Sequence, residues 1–120
     1  MGHISPSFLK VRLEELINSN RELMFVIEDV STRRVVAAAT LLLEYKFIHN
    51  AGKCGHIEDV VVDGNVRGRG LGKKIVSAVR DAAKTLGCYK CILDCSESNV
   101  RFYEKCGFRR NETCMAIYFK

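Results

Sequence analysis

Residues 55–73, GHIEDVVVDGNVRGRGLGK, carry the pattern that decides the fold. Val60, Val61 and Val62 are β-branched and end an apolar run broken only by Glu58 and Asp59, which reads as a strand over 55–63. Residues 64–70 hold too much glycine and arginine to pack. From Leu71 onward, apolar residues fall at Ile75, Val76, Val79, Ala82, Ala83 and Leu86, a helical spacing that predicts a helix over 71–86. A strand therefore enters a glycine-rich turn that ends at a helix N-terminus.

That arrangement suits an anion. The first helical turn has backbone N–H groups without partners, and the macrodipole adds partial positive charge. Gly68, Gly70 and Gly72 let a diphosphate approach the backbone, while Arg67, Arg69, Lys73 and Lys74 supply charge. Two common phosphate loops do not fit. A Walker loop needs glycine where Arg67 stands and Ser or Thr where Lys74 stands; the dinucleotide fingerprint fails at Lys73 in one frame and at Ile75 in the other. What remains is Arg67-x-x-Gly70-x-Gly72.

The 120 residues suffice for one compact domain over 1–120, with no repeat, linker or low-complexity stretch. The net charge of +5 suits a surface that attracts small polyanions; the basic residues do not gather on one element, which argues against nucleic acid. No signal-peptide pattern opens the chain, and no apolar run reaches the ~20 residues of a membrane span. A cytoplasmic protein with its six cysteines reduced is the expectation. Cys88-x-x-Cys91 sits in a strand-like run, where residues three apart face opposite ways, and has no second ligand pair. Small buried hydrophobes, not a metal site, are expected there.

Along the chain, Ser5-Pro6 reads as a helix start, with Phe8, Leu9, Leu13, Leu16 and Ile17 marking one face. Strands follow over 23–30 and 35–45, joined by a polar turn as a hairpin. A loop over 46–53 contains His49. After the strand, turn and helix of the opening stretch, Gly87 reads as a C-cap, and 88–95 as a strand buried on both faces. A short helix over 98–105 and a last strand over 113–119 complete the order. This is an α/β (α+β) chain with a mixed sheet and helices on both faces, containing one right-handed parallel crossover.

Strand, Arg67-x-x-Gly70-x-Gly72, helix resembles the acetyl-CoA pyrophosphate loop of the GNAT N-acetyltransferases. With GHIEDVVV before it, GCYKCILDC after the helix and NVRFYEKCGF beyond, the chain is similar to the glucosamine-6-phosphate N-acetyltransferases from about Lys46 onward. The resemblance implies a mixed, mostly antiparallel GNAT sheet lacking the family's first strand and helix. It implies acetyl transfer from acetyl-CoA to the amine of D-glucosamine 6-phosphate, feeding UDP-N-acetylglucosamine synthesis, by direct attack, without a metal and in a homodimer. Such a reaction needs a neutral amine, hydrogen bonds to the oxyanion and a proton for the leaving thiolate.

Carried onto this sequence, the resemblance makes Glu58 the base, Asp59 a group holding the amine, and Tyr103 the donor to the thiolate. Strand alternation places Glu58 and Asp59 on opposite faces. Acetyl-CoA is expected against Val60, Val61 and Val62, with its pyrophosphate on Arg67, Gly68, Arg69, Gly70, Leu71, Gly72 and Lys73, and with Asn99, Tyr103 and Lys105 alongside. Asn99 equally suits a helix cap. The acceptor is expected at Lys46, Phe47, Ile48, His49, Glu58, Asp59, Val60, Tyr89, Lys90 and Asp94.

Two departures stand out. Tyr118 lies near the position where some relatives carry a phosphate-binding arginine, leaving Lys90, Lys120 or a contact from elsewhere to serve. The family's additional N-terminal stretch carries part of the acceptor site, and without it residues 23–30 are expected as an uncovered edge strand. Two other functions compete: a GNAT enzyme for another small amine or a protein lysine, and a non-catalytic CoA-binding module.

Overall fold

A computed structural model describes residues 21–46, 52–66 and 70–120, and the backbone of 9–15. Its strands are β1 (Leu9–Glu15), β2 (Glu22–Asp29), β3 (Arg34–Tyr45), β4 (Lys53–Val62) and β5 (Cys88–Ile92). They form one sheet of five strands in chain order. β1 to β4 pair antiparallel, and β5 joins β4 in parallel, which makes the sheet mixed and mostly antiparallel. The crossover from β4 to β5 is helix α1 (Leu71–Thr85), and a short helix α2 (Val100–Lys105) follows β5.

The packing follows from alternation. On β2, Leu23, Phe25 and Ile27 stand opposite Leu41, Ala39 and Ala37 of β3, and all six are buried. Against this face lies the stripe Leu71, Ile75, Val76, Val79 and Ala83 of α1. Each large side chain removed from water there contributes about 1.5–3 kcal/mol. Gly55 lets the helix come close: a Cβ on it would lie 3.1 Å from Leu41 Cδ1 and 3.3 Å from Ala83 Cβ. α2 joins the same cluster through Phe102 and Tyr103, as does Cys106 just after it, and Arg80 of α1 donates to the Cys106 carbonyl at 2.7 Å.

Four expectations are corrected. Residues 9–15 form a strand, not the helix expected from Ser5-Pro6 onward, and Ser5 and Pro6 lie outside the described residues. Leu9, Val11 and Leu13 also alternate with Lys10, Arg12 and Glu14, a period of two that pairing with β2 exploits. β2 is therefore covered by β1. Residues 113–119 form no strand: Met115, Ile117, Tyr118 and Phe119 are 79–93% exposed, with no strand beside them among the described residues. The sheet face opposite α1 carries no helix among the described residues, so the expected helices on both faces are not seen. Among the described residues, no helix is long and apolar enough to cross a membrane.

Candidate active site

β4 and β5 part company midway. Their last paired residues are His56 and Ile92, yet β4 continues to Val62. Residues 57–62 thus keep their pairing with β3 while their other backbone edge has no β5 partner. A cavity of about 230 Å³ opens in this gap, bordered by His56, Glu58, Asp59, Asp94 and Tyr103 among others.

A β-bulge shapes the rim. Ala38 pairs with Val61 and Thr40 with Glu58, so Asp59 and Val60 together oppose Ala39. Asp59 takes the left-handed φ of 54°, a conformation rare for a residue with a Cβ. Strict alternation would turn Asp59 toward α1. The bulge breaks that alternation at Asp59, and Glu58 and Asp59 are both exposed and both border the cavity.

Tyr103 reaches the cavity from α2. Its ring is set edge-on between Phe102 at 4.9 Å and Phe108 at 6.2 Å. Burial pushes its hydroxyl up, with smaller contributions from nearby Cys95 and Cys106, so it keeps its proton at neutral pH and is a donor. Asn99, exposed at the start of α2, makes no side-chain cap. Lys105 is exposed on the same helix.

The helix-start half of the site begins at Gly70, whose φ of 72° turns the chain into α1. Leu71 is buried and anchors that turn, so only its backbone faces a ligand. The first intrahelical bond runs from Lys74 N to Gly70 O, leaving the N–H groups of Leu71, Gly72 and Lys73 ahead of it. Gly72 packs under Phe102, where a Cβ would sit 3.1 Å from the ring. Lys73 and Lys74 are exposed. Arg67, Gly68 and Arg69 lie outside the described residues, as do Phe47, Ile48 and His49.

Lys90, one of the residues expected at the acceptor, lies on the sheet face away from α1. Register places Glu44, Cys54 and Lys90 side by side, and His56 beside Leu42 and Ile92. A second slip, between Lys53 and Cys54, leaves Tyr89 unopposed, and the Lys90 ammonium lies 5.6 Å from its ring centre. That slip also puts Cys88 and Cys91 on the core side together, correcting the opposite faces expected for them; burial pushes the Cys91 thiol up to about 11. All six cysteines are free thiols.

Sequence reasoning misses two residues of this face. His56 Nε2 lies 2.7 Å from Glu44 Oε1, and Lys46 Nζ lies 3.3 Å from the same oxygen. A signal is present: His56 stands two residues before Glu58, the spacing that shares a strand face. Glu44, Cys54 and His56 bring their ligand atoms within 4.8 Å of one another, a donor set zinc accepts. Here Glu44 is already engaged by His56 and Lys46, and burial holds the Cys54 thiol protonated, so hydrogen bonding and charge pairing account for the cluster.

The backbone of residues 57–62, open along one edge, fits an extended amide-bearing chain laid beside it as a further strand, and the α1 start fits its phosphates. The family model described as Acetyltransferase (GNAT) family matches residues 4–108. The chain belongs to the GNAT acetyltransferase family. Among GNAT relatives, the glucosamine 6-phosphate N-acetyltransferase 1 of Dictyostelium discoideum is 49% identical over 100 residues, covering 83% of this chain and 64% of that one. The Arabidopsis thaliana glucosamine 6-phosphate N-acetyltransferase is 43% identical over 119 residues, covering 98% of this chain and 80% of its own. A crystal structure of glucosamine-6-phosphate N-acetyltransferase from Arabidopsis thaliana superposes with a TM-score of 0.79 at 47% identity, over 83% of this chain and 68% of that one. The GNAT fold read from the sequence is borne out.

Proposed function

We propose that this chain transfers the acetyl group of acetyl-CoA to the 2-amino group of D-glucosamine 6-phosphate, giving N-acetyl-D-glucosamine 6-phosphate and CoA. The observation that carries the reading is the gap where β4 leaves β5, because Glu58, Asp59 and Tyr103 meet there beside an open backbone edge. Relatives named for this reaction supply the acceptor.

In this reading the pantetheine arm lies along Val60, Val61 and Val62, and the pyrophosphate lies on the loop and helix start from Arg67 to Lys73. The amine nitrogen bonds to the thioester carbon as the carbon–sulfur bond breaks. Glu58 takes the proton the amine sheds, directly or through a water, and Tyr103 gives a proton to the departing thiolate. Asp59 holds the amine, Asn99 and Lys105 flank the coenzyme, and Tyr89, Lys90, Asp94 and Lys46 hold the sugar and its phosphate. The site works as a single domain over 1–120 in the cytoplasm, supplying UDP-N-acetylglucosamine synthesis.

A homodimer fits the same reading. Met115, Ile117, Tyr118 and Phe119 are exposed in a segment rich in strand-forming residues, and the outer edge of β5 carries no strand among the described residues. A second copy offering that segment to an open edge satisfies both.

The test is product identification. Acetyl-CoA is incubated with the chain and, separately, D-glucosamine 6-phosphate, glucosamine and a lysine peptide, and each product is read by NMR. Acetylation at nitrogen 2 of the phosphosugar supports the proposal. Acetylation of the peptide in preference to it refutes the acceptor.

A further inference from the structure

The Lys46–Glu44–His56 chain ends at the cavity. Thr40 pairs with Glu58, Leu42 with His56 and Glu44 with Cys54, so Glu44, His56 and Glu58 share one sheet face. His56 borders the same cavity as Glu58. Its side chain is 26% exposed, open enough to meet a ligand and enclosed enough to be held in place. Glu44 is ionised at neutral pH, because its bonds to His56 and Lys46 hold its carboxyl below the usual range. An ionised carboxylate only accepts hydrogen bonds, so the 2.7 Å contact assigns the hydrogen to Nε2 of His56. In the neutral form of such a ring the one further polar atom, Nδ1, is a lone-pair acceptor.

We propose that His56 is an acceptor-binding residue of this site, with Nδ1 accepting a hydrogen bond from an ammonium or hydroxyl group of the amino-sugar phosphate. Glu44 is a positioning residue, fixing the tautomer and the ring plane, and Lys46 steadies Glu44 from the far side. The inference deepens the functional reading above and rests on it for the identity of the ligand. A polyhydroxylated amine is rich in donors, and the neighbouring Glu58 and Asp59 are acceptors too. His56 extends that acceptor surface one strand position further from the bulge.

The test separates the two ring nitrogens. In His56→Asn the amide oxygen takes the place of Nδ1, whereas in His56→Gln the amide nitrogen takes the place of Nε2. His56→Phe supplies neither. Steady-state kinetics on the full chain should show His56→Phe and His56→Gln raising the KM for D-glucosamine 6-phosphate roughly tenfold, the worth of one lost hydrogen bond. The KM for acetyl-CoA should stay within about twofold, and His56→Asn should recover most of the loss. Rescue by Gln and not by Asn would mean that His56 merely braces Glu44, and it overturns the proposal. So does an equal rise in both KM values.

Histidine ¹⁵N spectra of the free wild-type protein, with His56 assigned from the His56→Asn variant, test the tautomer without any turnover. Nδ1 must be the unprotonated nitrogen, and a protonated Nδ1 overturns the inference. Wild-type protein that acetylates no amino-sugar phosphate defeats the functional reading, and the tautomer still decides the present one.

Discussion

At the scale of the residue, the site sets different groups to different tasks through their surroundings. Glu58 is exposed at the cavity rim, while Tyr103 is partly buried with its proton retained. If they act as base and acid, Glu58→Gln and Tyr103→Phe should each lower kcat by about 10²–10⁴-fold. Acetyl-CoA affinity, read by calorimetry, should change little. A variant with full kcat removes that residue from the chemistry. The thiols make a separate prediction. Burial raises Cys91 from 9.0 to about 11, and raises Cys54, Cys88 and Cys106 in the same direction. Above pH 9.0 the unfolded chain releases protons that the folded chain keeps, so stability is fully present below that pH and falls as pH rises toward 11. Urea midpoints measured on both sides of this window should show the fall, and Cys91→Ala should flatten it. A wild-type midpoint that does not move contradicts the assignment.

The elements show which local signals suffice and which do not. The stretch from β4 through the turn into α1 is legible in the sequence because β-branched residues, glycines and a helical stripe each point the same way. The bulge at Asp59 is not, since a register slip belongs to the pairing with β3 and leaves no mark in β4's own alternation. β1 is ambiguous because Leu9 and Leu13 fit a helical face as well as a strand face, and the neighbouring β2 decides between them. Lys46 and Lys90 are singled out by the sequence, whereas their relation to Glu44 and His56 depends on which residues two strands set side by side. Gly55 is the glycine that packing needs most. Gly55→Ala should cost about 1–3 kcal/mol by overpacking against Leu41 and Ala83. Gly64→Ala, where nothing lies within 4 Å, should stay within about 0.5 kcal/mol. Urea denaturation of the two variants checks both, and equal losses would contradict the packing described.

On the scale of the whole molecule, the sheet runs from β1 at one edge to β5 at the other, with no strand beyond either among the described residues. The expected final strand does not form: residues 113–119 pair with no strand among the described residues, although Ile117, Tyr118 and Phe119 have strong strand propensity. If a second copy supplies the partner, wild-type protein should sediment as a dimer. A chain ending at Arg110 should sediment as a monomer, and a monomeric wild type rejects this arrangement. The central claim, that the gap between β4 and β5 is an acetyl-transfer site for a phosphorylated amino sugar, meets its most direct test in the rate of thiol release from acetyl-CoA. The prediction is release that depends on D-glucosamine 6-phosphate, is far slower with unphosphorylated glucosamine, and is lost in Glu58→Gln. Release unaffected by the phosphosugar, or equal with both sugars, would contradict it.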